Sequence, residues 1–201
     1  MNRFARTCVL FLFIAMLPAC GGGDAKDKDA KPAPKDGEKK DAATPVANVK
    51  LEPVTVGETK LQKFGRIYLG GQPKEADLAK FTEAGVKSVI NLRGEGENKD
   101  FDEMKSCTAA GMTYNNPGFT SAATLTDPII DRVRSLLTSE PKDPVLLHCA
   151  SGNRVGAVWL AYRVLDENVP FDQALDEAKA IGLKSTDLEA KVRTYIEAQK
   201  K

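Results

Sequence analysis

Histidine is nearly absent from this chain of 201 residues, where His148 is the only one. A multi-histidine metal centre is thereby excluded, and no other donor pattern calls for a metal or a cofactor. Cysteine is scarce too: four in all, too few for the disulfide frameworks that staple small exported domains. Neither sign of charge predominates, since 29 Lys and Arg stand against 28 Asp and Glu. A nucleic-acid-binding domain would show a basic footprint, and none is present. Long apolar runs are missing as well. The opening one, Cys8 to Leu17, is too short to span a bilayer comfortably. No internal repeat is evident.

What the amino terminus does contain is ordered like an export signal. Arg3 and Arg6 precede the apolar run, and Leu17-Pro18-Ala19-Cys20 then leads into Gly21-Gly22-Gly23. This reads as a signal peptide over residues 1–19 with a lipobox, after which the Cys20 thiol is acylated. The expectation is an exported protein, held on the periplasmic or cell-surface side of a bacterial membrane only by that lipid. Cys8 would leave with the signal, so Cys107 and Cys149 are the cysteines of the folded part. Loss of Arg3 and Arg6 takes the formal charge from +1 to about −1. Residues 20–45 form the next segment. From Asp24 to Pro45, six Lys alternate with six Asp or Glu among Ala, Pro and Gly, without one large apolar side chain. Such a polyampholyte cannot bury enough surface to offset its ordering entropy, and it reads as a disordered tether.

Residues 46–201 are sized for one domain with a single core. Strands are expected at Arg66–Leu69, Val86–Leu92, Thr113–Asn115 and Val145–His148. Helices are expected at 74–84, 101–110, from Asp127-Pro128 onward to a stop at Pro141–Pro144, and at 153–165, 171–181 and 186–199. The helix from Asn153 to Leu165 is apolar nearly all round, with Val155, Val158, Trp159 and Tyr162, so it should be deeply packed. Alternation of strands and helices predicts an α/β fold, a three-layer sandwich whose mainly parallel sheet is flanked by helices. In such sheets the loops at strand C-terminal ends build the site.

Cys149 occupies that position. The strand Val145-Leu146-Leu147-His148 delivers it into Ala150-Ser151-Gly152-Asn153-Arg154, and a helix follows at once. Backbone N–H groups, a helix N-terminus and a planar guanidinium together make an anion cradle around a thiol. The reactive form there is the thiolate. Cys107, in a predicted helix, reads as a small buried hydrophobe, with a redox partnership to Cys149 as the alternative.

The run His148-Cys149-Ala150-Ser151-Gly152-Asn153-Arg154 resembles the signature of the cysteine-dependent tyrosine and dual-specificity phosphatases. Tyr68-Leu69-Gly70-Gly71-Gln72-Pro73 and Val89-Ile90-Asn91-Leu92-Arg93 more specifically resemble the beta-lactamase-hydrolase-associated phosphatase-like family. The similarity covers most of residues 60–198. It implies that Cys149 attacks phosphorus, that Ala150, Ser151, Gly152, Asn153 and Arg154 bind the phosphoryl oxygens, and that His148 braces the loop and favours the ionised thiol. It also implies a phosphorylated small molecule or phosphoprotein as partner, and a monomer is expected.

Three departures keep the chemistry open. Four residues separate Cys149 from Arg154 where those phosphatases have five, and Val155 stands where a hydroxyl residue usually follows the arginine. Asn115 to Thr126 contains no carboxylate to serve as general acid. Glu95, Glu97 or Asp100 could substitute from the neighbouring loop, or they are simply solvated charges; Asp127 reads as a helix cap. A six-residue Cys-to-Arg loop also resembles the rhodanese sulfurtransferases, whose cysteine carries sulfane sulfur and needs no general acid. A catalytically silent anion- or phosphoprotein-binding module is the third reading.

Overall fold

The computed structural model describes residues 50–139 and 142–201. The expected signal, the acylated Cys20, the tether and Pro141 lie outside the described residues. In chain order the elements are β1 (Glu52–Val56), β2 (Thr59–Phe64), β3 (Ile67–Gly70), α1 (Leu78–Glu83, entered through a 3-10 turn at Glu75–Asp77), β4 (Ser88–Asn91), α2 (Glu103–Ala109) and β5 (Thr113–Asn115). Then come α3 (Asp127–Ser139), β6 (Val145–His148), α4 (Asn153–Leu165), α5 (Phe171–Ile181) and α6 (Thr186–Gln199).

One sheet of six strands runs in the order β1-β2-β3-β6-β4-β5. The pairs β3–β6, β6–β4 and β4–β5 are parallel, whereas β1–β2 and β2–β3 are antiparallel. Strands β3, β4 and β6 are buried at every position, as expected of parallel strands covered on both faces. The pleat sorts their side chains into two cores. Ile67, Leu69, Ile90, Val145 and Leu147 face α3 to α6, while Tyr68, Val89 and Leu146 face α1 and α2. The three-layer α/β expectation is therefore met, with two helices on one face and four on the other.

Helix α4 is the central rod of the thicker layer. Every residue from Arg154 to Val164 is buried, and Trp159 packs edge-on against Phe64 with ring centroids 5.3 Å apart. The Arg163 guanidinium lies 4.2 Å from the Phe64 ring centroid and donates through Nε to Glu177 at 2.7 Å. The hairpin β1–β2 was not expected. It turns through Gly57, whose φ is +62°, and a Cβ there would land 1.8 Å from Asp77 Oδ1. Asp77 is itself buried and accepts from the Glu58 N–H and the Thr59 hydroxyl. Asp127, expected as a cap, is instead the first residue of α3, and Pro128 the second. The amides of Ile129 and Ile130 turn back to the Thr126 carbonyl, which moves the cap one residue earlier. No helix among the described residues is long and apolar enough to cross a membrane.

Candidate active site

The central strand β6 ends between two neighbours that shape the loop after it. His148 is the Cα partner of Gly70 on β3 and of Asn91 on β4. The Cys149 amide donates to the Gly70 carbonyl at 3.2 Å, and the Leu92 amide donates to the His148 carbonyl at 2.9 Å. On the β3 side, the Gln72 amide reaches the Ala150 carbonyl at 3.3 Å, and Gly71 bridges to Ser151. The loop then turns sharply at Gly152, with φ +89°. A Cβ at that glycine would approach the Ile181 carbonyl oxygen to 2.4 Å, so backbone conformation and space both demand glycine.

This turn wraps the loop around the thiol. Gly152 N–H donates to Cys149 Sγ at 3.1 Å. Among the described residues, nothing accepts from the N–H groups of Ala150, Ser151, Asn153 or Arg154. Those four donors sit at the entrance to α4, where the helix adds positive potential, and their hydrogen-bonding capacity is unspent. Ala150 and Ser151 are exposed, whereas Cys149 is only 1% exposed. The Asn153 side chain is committed elsewhere: its Oδ1 accepts from the Lys184 and Ser185 amides, tying the loop to the start of α6.

Arg154 is occupied. Its Nη1 donates to Glu97 Oε1 at 2.7 Å, to the Phe119 carbonyl at 2.5 Å and to the Leu92 carbonyl at 3.2 Å. Its Nη2 donates to Glu97 Oε2 at 2.7 Å. Glu97 is therefore not a solvated loop charge. It reaches Arg154 because the 93–98 loop folds back on itself, with the Gly94 amide donating to Glu97 Oε1 and the Glu97 amide to the Gly94 carbonyl. The hydrogen bonds from Arg154 hold the Glu97 carboxyl down at about 2, against the smaller opposing effect of burial. A carboxyl so acidic is a poor proton donor in this arrangement. Glu95 and Asp100 are both exposed, and Asp127 pairs with Lys191 at 3.0 Å on the surface.

The Glu97 pairing has a stability signature. Its folded pKa lies below the ordinary value of 4.5, so the folded state binds this proton less readily than the unfolded chain does. The contribution is therefore present above about pH 4.5 and withdrawn as pH falls toward 2. Urea midpoints measured from pH 6 to pH 2.5 are expected to fall along this limb. Glu97→Gln should flatten it; an unchanged slope would count against the pairing.

Behind the loop lies a buried polar network that the sequence did not reveal. His148 is fully buried, and its Nε2 lies 3.2 Å from Glu103 Oε1. The ring N–H is not aimed at that oxygen, which leaves both ring nitrogens without an aligned partner among the described residues. Glu103 also accepts from Gln72 Nε2 at 2.7 Å and Asn91 Nδ2 at 2.6 Å. Burial works to raise the Glu103 pKa, but His148, Gln72 and Tyr114 outweigh it and hold it below the usual carboxylate range. A first-turn Glu normally reads as a surface acid. Only the approach of α2 to β4 and β6 buries this one. A cavity of about 700 Å³ opens beside the network, lined among others by Arg93, Glu95, Lys99, Phe101, Glu103 and Tyr114.

Cys107 and Cys149 are both free and belong to different cores on opposite faces of the sheet. Burial pushes the Cys107 thiol up to about 12, which suits a packing role rather than redox partnership. No group of three His, Cys, Asp or Glu among the described residues is placed to hold a metal ion.

The sequence matches no family model. It is 31% identical over 123 residues to a beta-lactamase hydrolase-like protein of Agrobacterium fabrum, covering 58% of this chain and 28% of that one. The chain spans little more than a quarter of the length of the curated relatives it matches. Among solved structures, TpbA of P. aeruginosa in complex with pTyr superposes with a TM-score of 0.58 at 21% identity, over 75% of this chain and 90% of that one. PTPMT1 in complex with PI(5)P gives a TM-score of 0.55 at 20% identity, over 67% and 94%.

Proposed function

We propose, for a chain that carries the fold of the cysteine-dependent tyrosine and dual-specificity phosphatases, that it hydrolyses phosphate monoesters through a cysteinyl-phosphate. One observation carries this reading. The Cys149 sulfur accepts the Gly152 N–H inside a loop whose other four amides have no acceptor among the described residues. That arrangement is complementary to a phosphoryl group arriving in line with the sulfur.

In the first step the Cys149 thiolate attacks phosphorus, an S–P bond forms, and the P–O bond to the leaving group breaks. The amides of Ala150, Ser151, Asn153 and Arg154 take the developing charge on the equatorial oxygens, and the Arg154 guanidinium clamps two of them. The leaving alkoxide or phenoxide collects a proton from solvent. In the second step water attacks phosphorus, the S–P bond breaks, and inorganic phosphate leaves with the thiolate restored. His148 and Glu103 act through the loop by fixing its base on β6.

Aryl phosphates with activated leaving groups should be the best substrates, because their departure needs little protonation. The test is phosphate release by the full chain against a Cys149→Ser control, and turnover no higher than the control rejects the reading. TpbA with pTyr and PTPMT1 with PI(5)P make phosphotyrosine and phosphoinositide two reasonable probes.

A second reading is favoured by the four-residue interval between Cys149 and Arg154 and by the engagement of Arg154 with Glu97. In it the Cys149 thiolate attacks the outer sulfur of thiosulfate, sulfite leaves and a persulfide forms; transfer of that sulfur to cyanide, releasing thiocyanate and the thiolate, would establish it. In either case we propose a domain exported and held to the membrane by the Cys20 lipid. Cys20→Ala is then expected to move the protein from the membrane to the soluble fraction, and unchanged partition would reject the anchor.

A further inference from the structure

Two arginines converge on one carboxylate. Glu97 meets Arg154 with both oxygens, each at 2.7 Å. A guanidinium grips two oxygens of a phosphoryl group with the same two-point geometry. Arg93 stands on the other flank, its Nε 3.7 Å from Glu97 Oε2. Its Nη1 donates to Gln72 Oε1 at 2.7 Å and its Nη2 to the Glu97 carbonyl. The Arg93 Nε–H is buried and has no hydrogen-bond partner among the described residues. The displacement outlined above gives Arg93 no task. A buried guanidinium N–H without an acceptor calls for a physical explanation, and an incoming oxyanion would supply one. The Glu97 side chain remains 27% exposed, so its way out toward solvent is open.

We infer that Arg93 and Arg154 form a two-guanidinium seat for a doubly charged oxyanion, and that Glu97 is its intramolecular occupant, displaced when a substrate phosphoryl group enters. The inference rests on the phosphatase reading of this site and assigns its resting state an internal competitor for the phosphoryl group. Two guanidiniums carry two positive charges, whereas the carboxylate between them carries a single negative one. Exchange of Glu97 for a phosphoryl dianion therefore sets a doubly charged anion against the guanidinium pair and offers the Arg93 Nε–H an acceptor. Until the exchange occurs, the apparent affinity for any anion is lowered by the fraction of molecules whose seat is vacant.

Titration calorimetry of the full chain with inorganic phosphate tests this directly. Glu97→Gln and Glu97→Ala are each expected to bind phosphate about tenfold more tightly than the wild type, a gain that would correspond to a seat filled by Glu97 about 90% of the time. Arg93→Met introduced into the Glu97→Gln protein should give back about tenfold. A Glu97 that merely orients Arg154 predicts the opposite sign, namely weaker binding in both single variants. Affinity equal to or weaker than wild type in both, including no binding anywhere, overturns the competitor. An unchanged affinity on adding Arg93→Met overturns the two-arginine seat. Failure of the phosphatase reading looks different: no aryl phosphate turnover above Cys149→Ser, with phosphate binding still tightened by Glu97→Gln.

Discussion

Cys149→Ser is expected to abolish phosphate release from an activated aryl phosphate, with a loss on the order of 10⁴-fold or more. A thiol is partly ionised near neutral pH, whereas a serine hydroxyl needs a base to act as a nucleophile. No such base stands beside it. His148, the one histidine, is fully buried behind the loop and faces Glu103 rather than the cradle. Serine should nevertheless preserve the fold, because its hydroxyl can still accept the Gly152 N–H that Sγ accepts now. The variant should therefore lose turnover while keeping phosphate affinity and its urea midpoint. Residual activity within about tenfold of wild type would mean that the nucleophile lies elsewhere.

Arg154→Lys should be the second most damaging change, lowering kcat by about 10²–10³. The guanidinium spans Glu97 with both outer nitrogens while also donating to the Leu92 and Phe119 carbonyls. An ammonium is a point charge that cannot reproduce a two-point grip on carboxylate or phosphoryl oxygens. The two carbonyls would lose donors at a half-closed site, costing about 1–3 kcal/mol in addition. Kinetics and a denaturation curve on the same sample separate these effects. A kcat within a few-fold of wild type would show that Arg154 serves the loop rather than the reacting phosphoryl group.

Much of the parallel half of the fold was written locally. Val145–His148 and Asn153–Leu165 were bounded correctly because an uninterrupted apolar run and an all-round apolar helix leave few alternatives. The motif resemblance is likewise borne out by the sequence relatives and by the fold. The hairpin β1–β2 escaped because its strands are short, charged and half-exposed, and β1 contains Pro53, which the edge of a sheet tolerates. The cradle was legible because Cys149, Gly152 and Arg154 sit within six consecutive residues. Its surroundings were not. Glu97 is 57 residues from Arg154 in sequence, and Glu103 is 45 from His148, so no local pattern could mark either as a partner. Glu97 and Glu103 look alike as loop and first-turn acids; only tertiary packing makes one a partner of arginine and the other a buried carboxylate beside the histidine.

Strand β1 is antiparallel to β2 and β2 to β3, while β3 runs parallel to β6. The first described strand thus points the same way as the strand that ends at His148, and the upstream chain joins the domain at the pole opposite Cys149. Traction on that upstream segment would draw on the edge strand at the far end of the sheet and leave the thiol loop out of the line of force.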